Sequence, residues 1–479
     1  MSSPPQFQNV DDDTVMVGPV DKDAEGVLVT GITGYIATET VKVLCDYGFK
    51  NIRGTVRSVE KGKTQLVKLF RYAEEKGVTI ELYKADLTDK RAMTGAIIEP
   101  MKNGSPITRI LHLASPYPAN PKTAEEVLIP AIDGTMVVME QAASEASKVK
   151  QVILCGSIYG LIADAEAKFL TFTQIGGKKM VNVDEKTYGA AKYCSNGEFD
   201  PSTLTSVAKT ISPAMSYPIS KAMAEQSAWK FWKENAKQKF HFCTILPGAV
   251  WGISDSQVLS KGQLGTSMSY FGAMLNGELN IVPKYCNAIC SVEDVAEYHV
   301  RAIGNAACNG HRFTSFPEFL WFSELGPRAQ KVFDTHRKET GEKLMWYNPK
   351  ARSIAHCGRM EGTMVPVKKL FGKTAPYFVA KTIEKIGMLP PYLVEPWGVQ
   401  WHLDDAWKTE QERIMGHKCK PIQDFLLRML KNYNAIMLEE TPQASTGPAR
   451  RGGQKSAIPT IEPLDSNPTL LKVNGSESL

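Results

Sequence analysis

Gly26-Val27-Leu28-Val29-Thr30-Gly31-Ile32-Thr33-Gly34-Tyr35-Ile36-Ala37 decides how the rest of the chain is read. An apolar run ends in Thr30-Gly31, a second glycine follows at Gly34, and a small residue comes at Ala37. This is the pattern of a buried strand, a tight turn and the opening of a helix. Gly31 permits the turn, Gly34 lets backbone approach a pyrophosphate, and Ala37 allows helix and strand to pack closely. The first turn of such a helix offers unpaired N–H groups and the positive end of a dipole to an anion. Small residues at this spacing mean little alone, and the flanking strand and helix supply the required context. Gly31, Thr33, Gly34, Tyr35 and Ile36 are the candidate cofactor contacts here.

Further strand-like runs stand at 52–57 (IRGTVR), 80–86 (IELYKAD), 109–115 (RILHLAS), 151–157 (QVILCGS) and 240–248 (FHFCTILPG). Helical stretches at 38–48, 125–146 and 219–237 separate some of them. Continuous apolar runs suit strands covered on both faces, and strands alternating with helices build a parallel sheet. The expected fold is therefore α/β, a Rossmann-like doubly wound parallel sheet. At the end of the second strand an acidic residue would bind a ribose 2′-hydroxyl; Arg57 stands there instead, followed by Lys61 and Lys63. A guanidinium pairs bidentately with phosphate, which favours NADP(H) over NAD(H). Asp86-Leu87, after the third strand, is placed to meet the adenine.

The 479 residues carry a net charge of +5, unevenly spread. Asp11, Asp12, Asp13, Asp21, Asp23 and Glu25 against Lys22 make the first 25 residues −5, leaving +10 for the remainder. Lys and Arg are scattered without a basic block, so nucleic-acid binding is not implied. The nine cysteines are an odd number without a CxxC pair, and Cys286 and Cys290 lack neighbours to complete a zinc site. Thiols in a reducing compartment, the cytoplasm, are expected. No run approaches the ~18 apolar residues of a membrane span. The polar stretch 1–25 reads as a disordered leader and 438–479, rich in Pro, Gly, Ser and Thr, as a disordered tail.

A Tyr and a Lys four residues apart share one helix face, and the ammonium makes the phenol a stronger acid. Four such pairs occur: Tyr72/Lys76, Tyr188/Lys192, Tyr217/Lys221 and Tyr377/Lys381. Tyr72 precedes the third strand and Tyr377 follows the Rossmann series. Tyr188 is a rival because it also follows the strand ending in Ser157, but it runs into loop composition. Tyr217 opens a long helix leading to the next strand, and is preferred. Ser157 ends the fifth strand, at the carboxyl edge where doubly wound sheets bind ligands. Its hydroxyl is placed to hold a substrate carbonyl.

Taken together, VTGITGYIA, the RGTVRS strand end, YKADLTD, ILHLASPYP, VILCGSIYG, YPISKAMAEQSAWKFWKE, ILPGAVWG and SVEDVAEYHVRAI resemble the extended short-chain dehydrogenases. The similarity is greatest to the dihydroflavonol reductase/cinnamoyl-CoA reductase group. By that resemblance Ser157, Tyr217 and Lys221 are the catalytic triad, and Lys221 also binds the nicotinamide ribose. It further implies Arg57 and Lys63 on the 2′-phosphate, Ala114, Ser115 and Pro116 along the middle of the cofactor, and Pro247 and Val250 beside the nicotinamide. A Rossmann region over 26–315 and a smaller C-terminal substrate domain over 316–437 follow. The chain departs from the group in a long loop at 160–212 and an insertion near 330–400.

The expected activity is hydride transfer between NADP(H) and a small-molecule carbonyl or alcohol. Oxidation of a hydroxysteroid-like alcohol, nucleotide-sugar epimerase or dehydratase chemistry, and a non-catalytic NADP(H)-binding sensor or scaffold stand as alternatives. Neither the substrate nor an oligomeric state is legible in the residues.

Overall fold

The computed structural model describes residues 19–116, 121–163, 171–175, 178–190, 193, 199–237, 239–252, 254, 286–341 and 400–439. The leader before residue 19, most of the 330–400 insertion and the tail from 440 lie outside the described residues.

Seven strands form the main sheet: β1 (Gly26–Val29), β2 (Asn51–Val56), β3 (Thr79–Lys84), β4 (Ile107–His112), β5 (Gln151–Cys155), β8 (His241–Leu246) and β11 (Arg312–Thr314). Their order is β11-β8-β5-β4-β1-β2-β3 and every pairing is parallel. The chain crosses from β3 at one edge to β4 on the far side of β1. The point where strand order reverses therefore lies between β1 and β4, where this architecture opens a crevice.

Alternation along the strands explains the two-sided core. Val27 and Val29 pack with Leu111, Ile153 and Ile245 against α1 (Tyr35–Asp46), α3 (Val67–Glu75) and the helix Val292–Ala302. Leu28, Ile110, Val152 and Phe242 face the other way, onto α4 (Lys90–Ile98), α5 (Glu125–Ala142) and α8 (Ser216–Phe231). Each such buried side chain is worth about 1.5–3 kcal/mol. Exposed pairs such as Lys63–Glu60, 3.2 Å apart, contribute about 0–1 kcal/mol. The two-layer core holds the fold.

Two differences from the sequence expectation are local. The leader ends before residue 25: the Glu25 carboxylate receives Lys150 at 2.7 Å and Arg109 at 3.2 Å. The helix of the dinucleotide loop begins at Tyr35, immediately after Gly34.

A larger difference lies in the stretch expected as a long loop. It contains α6 (Tyr159–Ile162), the antiparallel pair β6 (Thr171–Ile175) and β7 (Lys178–Val183), and α7 (Leu204–Ala208). β7 pairs in parallel with β13 (Trp401–Leu403), so the inserted residues and the end of the chain share one sheet. A second small sheet joins β9 (Ala249–Trp251), β10 (Cys286–Ser291) and β12 (Phe319–Trp321). Ile158, Leu161, Val183, Leu246, Trp401 and Trp407 share one buried cluster, which fixes this region on the carboxyl edge of the main sheet. The closing segment is helical over Asp405–Met415 and Ile422–Glu439, with Gly416 at φ +57° between them.

Candidate active site

Parallel strands put all their carboxyl ends on one edge. Thr30, Arg57, Asp86, His112, Ser157 and Pro247 each follow or close a strand there. At β1 the turn is held from three sides. Gly31 N–H donates to Thr55 Oγ1 at 2.8 Å, and Leu113 and Ala114 N–H both donate to Thr30 Oγ1 at 3.0 Å. Gly31 has φ +64°, and a Cβ there would sit 2.8 Å from the Ala114 Cβ. The β1 and β4 loops thus touch at the strand-order reversal, with Ala114 against the glycine turn and Ser115 and Pro116 next in the chain. Tyr35 donates its hydroxyl hydrogen bond to the carbonyl of Gly252, just past β9, tying the turn to the small sheet.

Thr30 also fixes His112. Its hydroxyl oxygen accepts two backbone N–H groups, so its single proton goes to His112 Nδ1, 2.9 Å away. Burial, with the Lys221 charge adding to it, pushes the imidazole down to about 3. His112 is therefore neutral, with its proton on Nε2.

Arg57 is exposed at the end of β2. Asp86 at the end of β3 is held below the usual carboxylate range by hydrogen bonds from Thr88 N and Oγ1, with Arg57 contributing. Lys63 lies one turn into α2 (Val59–Gln65), in its exposed pair with Glu60. Leu87 is buried against α5 through Gly134, where a Cβ would come within 3.1 Å of it.

Ser157 is two residues past β5 and 8% exposed, and its Oγ accepts the Tyr159 N–H at 3.3 Å. Tyr159 meets Tyr217 edge-on, with ring centroids 6.0 Å apart. Tyr217 is the second residue of α8, and Lys221 Nζ lies 5.8 Å from its ring centroid. Burial lowers the Lys221 pKa, opposed by Cys155. Burial pushes the Cys155 thiol up to about 11, so it stays protonated. On the neighbouring strand, Pro247 accepts the Ile158 N–H at 2.7 Å, and Val250 is buried on β9. Serine, phenol and ammonium thus converge at the mouth of β5, next to the β1–β4 crevice.

The rival Tyr188 stands outside any helix. It lies between β7 and α7 in irregular backbone, with the Arg312 guanidinium stacked 4.2 Å from its ring centroid. Lys192 lies outside the described residues.

Two residues absent from the sequence expectation stand out. Glu225 and Arg312 form an ion pair at 2.8 Å with side chains 1% and 2% exposed. Glu225 was legible in part, since Tyr217, Lys221 and Glu225 stand at i, i+4 and i+8 along one helical row.

The KR domain family matches residues 26–168. Over 319 residues the chain is 28% identical to a putative NADPH-dependent methylglyoxal reductase of Candida albicans, covering 65% of this chain and 82% of that one. A cinnamoyl-CoA reductase of Medicago truncatula is 29% identical over 287 residues, covering 59% and 74% respectively. These relatives and the family model make the chain similar to reductases of the short-chain dehydrogenase type. The solved structure of a yeast methylglyoxal/isovaleraldehyde reductase complexed with NADPH has the same fold. It superposes with a TM-score of 0.54 at 19% identity, covering 86% of this chain and 99% of that one. Among the described residues no helix is long and apolar enough to cross a membrane.

Proposed function

We propose that this chain is an NADP(H)-dependent oxidoreductase of the extended short-chain dehydrogenase/reductase type that reduces a small-molecule ketone or aldehyde, with Tyr217 as its acid–base, Lys221 beside it and Ser157 orienting the carbonyl oxygen. The convergence of Ser157, Tyr159, Tyr217 and Lys221 next to the Gly31 turn carries this proposal. The donors fit the cofactor. Gly31 leaves room where a side chain would collide, and Arg57 is an exposed guanidinium where a 2′-phosphate would sit. The relatives named for NADPH support the same choice.

NADP(H), when bound, supplies the hydride to the carbonyl carbon. The protein supplies the proton and the geometry. A phenol ordinarily ionises near 10 and a lysine near 10.4, so a buried ammonium beside the ring favours the phenolate by Coulomb attraction. Ser157 donates to the same oxygen that Tyr217 protonates, which fixes the carbonyl for attack. Arg57 and Lys63 would hold the 2′-phosphate, with Gly31, Thr33, Gly34, Tyr35 and Ile36 around the pyrophosphate. Asp86 and Leu87 would lie by the adenine, and Ala114, Ser115, Pro116, Pro247 and Val250 along the rest of the cofactor. The seven described free cysteines are all buried, which suits a reducing, cytoplasmic setting.

Fluorescence titration with NADPH and NADH, followed by an aldehyde and ketone screen at 340 nm, tests the proposal. NADPH is expected to bind much more tightly than NADH, Tyr217→Phe to lower turnover by about 10²-fold or more, and Tyr188→Phe to retain it. A fully active Tyr217→Phe enzyme would falsify the assignment.

A further inference from the structure

Arg312, on β11, uses all five of its N–H donors. Nε donates to Glu225 Oε1 at 2.8 Å, and one Nη2 hydrogen to Glu225 Oε2 at 2.9 Å. The other Nη2 hydrogen goes to the Gly160 carbonyl at 3.0 Å. Nη1 donates to the carbonyls of Glu185 at 2.9 Å and Thr187 at 2.6 Å. The backbone N–H of the same residue donates to Glu185 Oε1 at 3.0 Å. One guanidinium therefore joins four pieces of chain: β11, α8, the turn carrying Ser157, and the inserted segment 184–190.

The geometry around it leaves little slack. Glu225 Oε1 also accepts Thr244 Oγ1 at 2.8 Å and Trp229 Nε1 at 3.3 Å. A Cβ on Gly160 would lie 2.1 Å from Glu225 Oε2, and one on Gly189 would lie 2.3 Å from the Tyr159 carbonyl. Gly189 N–H donates to the Gly160 carbonyl at 2.7 Å, and Gln226 Nε2 donates to the Gly189 carbonyl at 2.7 Å. The ion pair is bidentate, which adds geometric specificity to the charge attraction.

We propose that Arg312 and Glu225 are positioning residues that set Ser157 against Tyr217, with the inserted 184–190 segment as the third arm of the same clasp. Glu225 stands two helical steps from Tyr217 through Lys221, on the same row of α8. Gly160 stands three residues after Ser157 and one after Tyr159, whose ring touches Tyr217. Joining Glu225 to Gly160 through one rigid fork fixes the two halves of the carbonyl seat relative to each other. The inserted segment is thereby part of the scaffold beneath the site. This inference rests on the assignment of Ser157 and Tyr217 made above.

Arg312→Lys keeps the charge but loses the fork, and Thr244→Val loosens Glu225 while leaving the pair in place. Crystal structures of both variants with NADPH, compared with the unaltered protein, give the separation of Ser157 Oγ and Tyr217 OH directly. The expected shift in Arg312→Lys is about 0.5 Å or more, the tolerance of a productive site. With methylglyoxal and isovaleraldehyde as probe substrates, kcat is expected to fall by up to about 100-fold in Arg312→Lys and less in Thr244→Val. The KM for NADPH should stay unchanged, and Thr244→Ser should restore kcat. An unmoved Ser157–Tyr217 pair in Thr244→Val and in every folded Arg312 variant overturns the proposal. So does a parallel loss of kcat, NADPH binding and melting temperature, the signature of a purely structural role. Tyr217→Phe, assayed alongside, separates the two failures: full turnover there removes the catalytic assignment itself, whereas its loss with intact Arg312→Lys kinetics removes only the clasp.

Discussion

The two walls of the crevice are held by different kinds of bond. On the β1 side, the Gly31 turn is fixed by backbone N–H groups, a threonine hydroxyl and the absence of a side chain, with partners at Thr55 and Ala114. On the β5 side, the Ser157–α6 turn hangs on a buried ion pair between residues 87 positions apart, and one of its arms reaches 152 positions along the chain. Both walls join distant stretches of chain, but the first is neutral and the second charged, so damage to the second should cost folding as well as function.

Tyr217→Phe should have the largest effect, lowering turnover about 10²- to 10⁴-fold with little change in urea midpoint, as expected for a lost proton donor. Glu225→Gln sharpens the contrast from the other wall. It strands a buried guanidinium charge and should cost about 3–5 kcal/mol in unfolding free energy, measured by urea titration. An equally stable Glu225→Gln protein would mean the second wall is no more demanding than the first.

His112 ties the β1 wall to pH. Its folded pKa lies near 3, depressed from the ordinary 6.5, so protons bind the unfolded chain more readily. That contribution is complete above about pH 6.5 and is lost as pH falls toward 3, with a limiting slope of roughly 1.4 kcal/mol per unit. His299, pushed down to about 4 by burial, acts in the same direction. His112→Leu should flatten the acid limb of a stability–pH curve; an unchanged slope would contradict the neutral, buried imidazole. Arg57→Ala is the mildest change, an exposed residue whose loss should weaken NADPH binding by about 1.5–3 kcal/mol and leave NADH binding alone. Equal weakening of both would remove Arg57 from the 2′-phosphate site.

Much of the molecule was legible without coordinates. All six strand-like runs fall on strands of the main sheet: β1, β2, β4, β5 and β8 are buried throughout, and β3, at the edge, is half-exposed with Ile80 and Leu82 packed against the core. Only β11 escaped: Arg312-Phe313-Thr314 is three residues long and opens on a charge. Tyr217 and Lys221 were singled out by a local spacing that the α8 helix keeps on one row, and Tyr188 became a rival by the same spacing, in a segment that is not helical. The β6–β7 pair was missed because Lys178–Val183 is polar at its start and its partner β13 lies at the far end of the chain.

The sequence by itself determined six strands of the main sheet, the turn at Gly31 and the helical row of Tyr217 and Lys221. Each is written within about twenty residues, by side-chain period, glycine freedom and capping chemistry. Tertiary structure alone brought Tyr217 against Tyr159, two residues from Ser157, and closed Arg312, Glu225 and residues 184–190 around the same turn. Those choices depend on burying charge and pairing backbone carbonyls across long stretches of chain, and local propensity carries no term for them.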